Sequence, residues 1–290
     1  MGRKRIVRHF PELSCLLSYS LSDLRLYLTL ILYFLCYSLQ AQTISLCSWN
    51  LKDFGKSKIE IEFIAETLRN FDVIAIQEVV AGYGGPQAGA KLADALNRKG
   101  ANWDYVISMP TSSVSVYKSE RYAYIWKTQK LRKVGEAWLE KKYHQEIDRE
   151  PYYIRLEQNG KQFTLVNFHA IPKSKQPETE VKYFKFLPEL YSTDNLIFCG
   201  DFNLPQKHSV FNPIKKMGYQ PSLLSQKTSL KINCIEGECL ASELDNIFYN
   251  SLKIEQIGSG VIHFYYKFKD FSLARLASDH VPVFLEFRIK

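Results

Sequence analysis

From Thr43 onward the chain carries short runs of β-branched and aromatic residues: ISLCSW, DVIAI, YAYIW, FTLVNF, NLIFC, NIFY and VPVFLEF. Most are continuously apolar rather than alternating, the pattern of strands covered on both faces. Between several of them apolar residues recur at helical spacing. Ile61, Ile64 and Leu68 share one face, and Leu92, Ala95 and Leu96, after Pro86, share another. The pattern predicts an α/β chain. Residues 42–290 contain no internal repeat, low-complexity segment or long linker, so one domain is expected there. The glycine-rich stretch AGYGGPQAG from Ala81 lacks the spacing of a phosphate-cradling loop and reads as a flexible loop leading into a helix.

The first forty residues are patterned differently. Arg3, Lys4, Arg5 and Arg8 make a basic start, and an uncharged run extends from Leu26 to Leu39. Its 14 residues fall short of the roughly 20 needed to cross a bilayer, and Ala41 places a small residue where a signal peptidase cuts. Residues 1–41 therefore read as a signal peptide, with an uncleaved membrane anchor or a misplaced start codon as alternatives. Tyr33, Phe34 and Leu35 before Cys36 do not form a lipobox. A cleaved leader implies a secreted or periplasmic protein without stable membrane association; a retained one would hold it at the membrane.

The leader takes five basic and two acidic residues with it, so the formal charge of +8 falls to +5. That excess permits a polyanionic partner and selects none. Cys15 and Cys36 leave with the leader. Cys47 and Cys199 sit in apolar runs and read as buried thiols, whereas Cys234 and Cys239 bracket a short polar loop, CIEGEC. A local disulfide is expected there rather than a zinc site, because no second pair of ligands stands at suitable spacing.

Polar residues cluster at strand ends. Asn50 ends ISLCSWN, Glu78 ends DVIAIQE, His169 ends FTLVNFH, Asp201 ends NLIFCGD, and Asp279 with His280 stands just before VPVFLEF. Any one of these could be a turn residue or a solvated charge. Six together mark one edge of a sheet as a site, since half-buried charges need partners or a metal. Glu78, Asp279 and Asn50 offer hard oxygens suited to Mg²⁺ or Mn²⁺. Histidines beside carboxylates suit acid–base catalysis.

Trp49-Asn50, Gln77-Glu78, Gly200-Asp201-Phe202-Asn203, Leu244-Asp245-Asn246-Ile247 and Ser278-Asp279-His280 occur in the order seen in the endonuclease/exonuclease/phosphatase superfamily, which the chain resembles from Ile44 to Phe287. Glu120-Arg121-Tyr122, Arg149-Glu150-Pro151, His169-Ala170 and the run from Leu273 to His280 resemble the deoxyribonuclease I-like family within it. The resemblance implies a four-layer α/β/β/α sandwich of two mixed β-sheets, with residues 42–290 as the catalytic domain.

It also implies roles. Glu120 would orient His169 and Asp245 would orient His280, one histidine activating water while the other protonates the leaving 3′ oxygen. Glu78 would hold Mg²⁺, with Asn50 and Asp279 near it; Mn²⁺ is an alternative ion, and assistance by Ca²⁺ is left open. Asp201 and Asn203 would meet the phosphate or the attacking water, Arg149 a phosphate oxygen, and Tyr117 a sugar. The implied substrate is DNA, cut endonucleolytically to 5′ phosphates, and the implied state is a monomer.

Some positions depart from the family. Val79 and Val80 follow Glu78 where the family places an arginine that enters the minor groove, Ser119 is an extra residue between Tyr117-Lys118 and Glu120, and the family's disulfide closes a longer loop. The family's structural calcium sites are not carried across. His144, His208 and His263 lack motif neighbours and read as surface or packing residues. Two rival functions remain: a phosphatase or sphingomyelinase-like phospholipase of the same fold, and an inactive binding module.

Overall fold

The computed structural model describes residues 25–29, 42–56, 59–113 and 119–290. The chain divides into two compact units, Met1–Ala41 and Gln42–Lys290. Of the first, only the helical residues 25–29 are described; the rest of the expected leader, like Tyr117, lies outside the described residues. No described helix is long and apolar enough to cross a membrane.

In chain order the strands are β1 (Ile44–Phe54), β2 (Val73–Val80), β3 (Trp103–Ile107), β4 (Glu120–Lys127), β5 (Arg132–Lys133), β6 (Trp138–Leu139), β7 (Tyr152–Gln158), β8 (Lys161–His169), β9 (Leu196–Asp201), β10 (Tyr219–Pro221), β11 (Leu230–Ile235), β12 (Glu238–Leu240), β13 (Asp245–Asn250), β14 (Ile254–Val261) and β15 (Val283–Ile289). The helices are α1 (Ile61–Leu68), α2 (Gly84–Asn97), α3 (Glu178–Val181), α4 (Leu187–Leu190), α5 (Asn212–Lys216) and α6 (Phe271–Ala277). One mixed sheet runs β14-β15-β1-β2-β4-β3, and a second runs β10-β13-β9-β8-β7-β5 with β6 beside β7.

The continuous apolar runs are explained by what covers them. Leu46, Val73, Ala75 and Tyr124 of the first sheet pack against Ile154, Leu165, Ile197 and Ile247 of the second. The alternate residues of the first sheet, Trp49, Ile74 and Ile76, face Ile64, Leu68, Leu92 and Leu96 of α1 and α2. Those of the second, Val166, Phe168 and Phe198, face Phe184, Leu187 and Phe211. Helix, sheet, sheet and helix make four layers, the α/β/β/α sandwich.

The glycine-rich stretch is partly corrected. Ala81 to Tyr83 form the expected loop leading into a helix, but Gly84 to Gly89 are already the opening turns of α2. The reason is contact: a Cβ on Gly84 would strike the Gly55 carbonyl oxygen of the turn after β1, so backbone meets backbone where the loop reading assumed free chain. Cys47 and Cys199 are buried free thiols, and Cys234 is bonded to Cys239 across the β11–β12 hairpin.

Gly200 is the fold's tightest point near the cleft. It stands opposite Phe168 in the parallel β8–β9 pair with φ +137°, and any Cβ there would run into the Phe168 carbonyl. Gly200→Ala is expected to cost about 3 kcal/mol in urea unfolding of the full chain. Gly237→Ala, at a hairpin tip with φ +81° and open space around it, should cost about 1 kcal/mol. Equal losses would contradict the close approach.

Candidate active site

Three neighbouring strands of the second sheet bring three chemical groups into line. In the β13-β9-β8 ladder, Asp245 pairs with Asp201 and His169 pairs with Asp201, so all three leave the sheet at one level. The first sheet supplies their counterparts: Asn50 from β1, Glu78 from β2, Glu120 from the start of β4, and His280 just ahead of β15.

Glu78 reaches the cleft because β2 is irregular. The β2–β4 register shifts between Ile76 and Val79, and Glu78 itself has φ 59°. Such a bulge re-aims a side chain that strict alternation would send elsewhere. Gln77, before it, points inward: its Nε2 donates to Asn167 Oδ1 (2.5 Å) and Ser48 Oγ (3.0 Å), joining the two sheets beneath the cleft. Asn50 Nδ2 donates to Glu78 Oε1 (2.9 Å) and Asp201 Oδ2 (3.3 Å), while its Oδ1 is buried without a hydrogen-bond partner.

Each histidine has a carboxylate behind it. His169 Nδ1 lies 3.0 Å from both Glu120 oxygens. Arg149 Nη1 sits 3.1 Å from Glu120 Oε2 and 3.0 Å from the same His169 nitrogen. With the proton on Nδ1 the ring donates to Glu120, because the guanidinium has no acceptor; Arg149 in turn donates to that carboxylate and to the Ala170 carbonyl. Arg149 is thus enclosed, yet it also lines the cleft. On the other side His280 Nδ1 lies 2.7 Å from Asp245 Oδ2. Its backbone N–H donates to Ser278 Oγ (2.9 Å), which in turn donates to the Asn50 carbonyl (2.5 Å).

The free edges of the two rings converge. His169 Nε2 and His280 Nε2 lie 3.6 and 3.7 Å from the same atom, Asp201 Oδ2, and His169 Nε2 is 3.9 Å from Glu78 Oε1. Burial alone pulls the His280 pKa down, but the Asp245 and Asp201 carboxylates outweigh it and raise it to about 10. Burial and the Arg149 guanidinium likewise pull His169 down, and Glu120 and Asp201 bring it above its ordinary value. Burial pushes Asp201 up, and the two imidazoles more than reverse this and hold it below the usual range.

Asn203, at φ 52°, gives its N–H to Asp201 Oδ1 (2.9 Å) and its Nδ2 to the Ala170 carbonyl (3.0 Å). Asp279 is half-buried like Glu78, its side chain 35% exposed against 27%, and its carboxylate lies 4.0 Å from Arg275 Nη2. Asp201, Asp245 and His280 offer ligand atoms within 4.8 Å of one another, a second donor set that sequence reasoning did not single out. The cleft beside Glu78 encloses about 580 Å³ and is lined by Lys56, Glu78, Val80, Asp148, Arg149 and Lys175, among others.

Sequence reasoning missed Thr228. Its Oγ1 accepts the N–H groups of Leu244 (3.0 Å) and Asp245 (2.9 Å), and its carbonyl accepts that of Val281 (2.7 Å). One buried residue thus ties both sides of the Asp245–His280 pair, and a lone threonine in a polar segment carries no signal of that. His144 bonds the Lys141 carbonyl (2.6 Å), His208 accepts from the Val210 N–H (3.2 Å), and His263 meets the Tyr265 hydroxyl (2.9 Å). Arg121 spends its guanidinium on the Ala81 (2.9 Å) and Ser108 (2.8 Å) carbonyls.

Residues 47–280 match the model of the Endonuclease/Exonuclease/phosphatase family. Deoxyribonuclease gamma of Rattus norvegicus is 30% identical over 198 residues, an alignment spanning 61% of this chain and 61% of that protein. A deoxyribonuclease of Thioalkalivibrio sp. (strain K90mix) is 26% identical over 266 residues, covering 83% of this chain and 70% of the relative. Among solved structures, an endonuclease/exonuclease/phosphatase family protein of Bacteroides thetaiotaomicron superposes with a TM-score of 0.62 at 17% identity, covering 87% of this chain and 99% of that one, a likeness of fold. A match across most of the second unit, on a sandwich whose strand ends carry the family's motifs, places the protein: it belongs to the endonuclease/exonuclease/phosphatase family.

Proposed function

We propose that the protein is a deoxyribonuclease that hydrolyses phosphodiester bonds endonucleolytically to 5′-phosphate ends, uses Mg²⁺ or Mn²⁺, and works outside the cell. The observation that carries this reading is the pair of histidine–carboxylate hydrogen bonds whose free Nε2 atoms meet at Asp201 Oδ2. Two rings facing one point suit a reaction that removes a proton from one oxygen and delivers one to another.

The residues beside the rings fit a hard divalent cation. Asn50 Oδ1 is buried and unpartnered, next to the half-exposed Glu78 carboxylate, and an orphaned amide oxygen beside a carboxylate is an oxygen donor set of the kind Mg²⁺ prefers. Glu78 and Asn50 would hold the ion, with Asp279 contributing from the His280 side. Bound there, it would neutralise charge developing on the phosphoryl oxygens.

The remaining steps belong to side chains. One imidazole, deprotonated at Nε2, takes a proton from water as the water oxygen bonds to phosphorus. The other gives its Nε2 proton to the 3′ oxygen as the P–O3′ bond breaks, leaving a 5′ phosphate and a 3′ hydroxyl. Glu120 and Asp245, fixed on Nδ1, keep each ring in the tautomer that exposes Nε2 and stabilise its charged form. Asn203 and Arg149 orient the phosphate. The names of the relatives at about 30% identity support DNA as the substrate.

Supercoiled plasmid tests the reading. The full chain should nick it with Mg²⁺ and stop on EDTA, and His169→Ala and His280→Ala should each lower the rate at least about 10²-fold. A folded wild type that spares plasmid but releases phosphate or phosphocholine from small or lipid substrates would instead make it a phosphatase or phospholipase. Thr228→Val, which removes the acceptor for Asp245 N–H, should lower kcat about tenfold in the wild type and add nothing in a His280→Ala background. Additive losses would show that Thr228 does not act through that pair.

A further inference from the structure

Away from the cleft, three aromatic rings and three lysines stand together. Tyr143, on the turn after β6, has its ring centroid 5.3 Å from Tyr183 and 5.9 Å from Phe186, and the last two are 6.3 Å apart. Each ring carries its own cation: Lys142 at 5.5 Å from the Tyr143 centroid, Lys182 at 5.2 Å from Tyr183, and Lys185 at 4.8 Å from Phe186. The lysines are exposed, Phe186 is 39% exposed and both tyrosines are half-buried. No ion pair among the described residues uses these lysines.

This platform is tied to the catalytic cleft. Glu180 of α3, two residues before Lys182, accepts the Asp148 N–H (2.6 Å) and the Ile171 N–H (3.0 Å), and both of those residues line the cleft. The Tyr143 carbonyl accepts the Ile147 N–H (3.0 Å). Tyr143 is five residues from Asp148, so even a fully extended chain keeps it within about 17 Å of the cleft wall.

We infer that the Tyr143–Tyr183–Phe186 platform is a second nucleic-acid-binding surface, which grips an unpaired strand a few nucleotides from the scissile phosphate. The inference rests on the nuclease reading above. The lysines that lie over the ring faces are long enough to turn onto phosphates and free those faces for stacked bases, a combination that binds single strands with little regard for sequence. The alternative polyanion, an acidic bilayer, is disfavoured by the small apolar area exposed: one partly exposed phenylalanine and two half-buried tyrosines make a poor wedge for lipid.

Fluorescence anisotropy of a labelled single strand of about 20 nucleotides, with the full chain in EDTA so that no cleavage occurs, tests this. Lys142→Ala, Lys182→Ala and Lys185→Ala together should weaken binding at least about tenfold and reduce the slope of log affinity against log salt by about 2. Phe186→Ala should weaken single-strand binding about tenfold and leave a duplex of equal length unchanged. If wild type nicks plasmid but these variants bind the strand as tightly as it does, the platform is not a DNA surface and the nuclease reading stands. Loss of binding to phosphatidylserine vesicles in the lysine variant, with DNA binding kept, would assign the surface to lipid and overturn the inference. A wild type that neither nicks nor binds DNA would overturn both readings.

Discussion

Each histidine of the site takes its carboxylate from the opposite sheet. His169 ends β8 of the second sheet and bonds Glu120 of the first; His280 enters β15 of the first sheet and bonds Asp245 of the second. Both hydrogen bonds cross the sandwich at its open edge, and Gln77–Asn167 crosses just beneath them. Their lengths are therefore set by how far apart the sheets sit, which Leu46, Val73, Tyr124, Ile154, Leu165 and Ile247 decide by packing between them. A buried carboxylate without its imidazole, or the reverse, would be costly. The apolar core and the charged edge thus constrain each other: packing fixes the distances, and the distances keep the charges paired.

Asp201 completes this arrangement. It is nearly inaccessible, and its Oδ2 faces two imidazole nitrogens and the Asn50 amide. The imidazoles hold it ionised, and it helps raise both of theirs. An anion sits where the two imidazoles meet, so positive charge on either ring is already balanced there. Arg149, enclosed behind Glu120, adds a fixed positive charge that solvent hardly reaches.

Much of this was legible in the sequence, and the rest was hidden for definable reasons. Runs such as DVIAI and NLIFC announced strands covered on both faces, and polar residues at their ends announced the edge. β3, β7 and β14 escaped because charged, polar or glycine residues break their apolar pattern; Arg155 in β7 points to Asp194 rather than to a core. The helical opening of α2 packs Gly84 against Gly55, a contact between distant backbones that local glycine content disguises. The pairing of Glu120 with His169, 49 residues apart, had no signature in spacing and came only from family resemblance. The Glu78 bulge and the Thr228 brace are properties of register and of one hydroxyl, which a linear pattern does not encode.

The position of β15 bears on when the site comes into being. β15 is threaded between β14 and β1, pairing with the strand that opens the unit at Ile44, and the His280 carbonyl accepts the Trp49 indole N–H (2.8 Å). The first and last strands of the unit must therefore find one another before His280 can meet Asp245. Contacts of such long sequence separation form late in folding, after the loops they close have been ordered. A chain still emerging from the ribosome holds Asn50, Glu78 and His169 but has no second ring to set against them. Synthesis order alone keeps the site one ring short until the last strand of the unit is made.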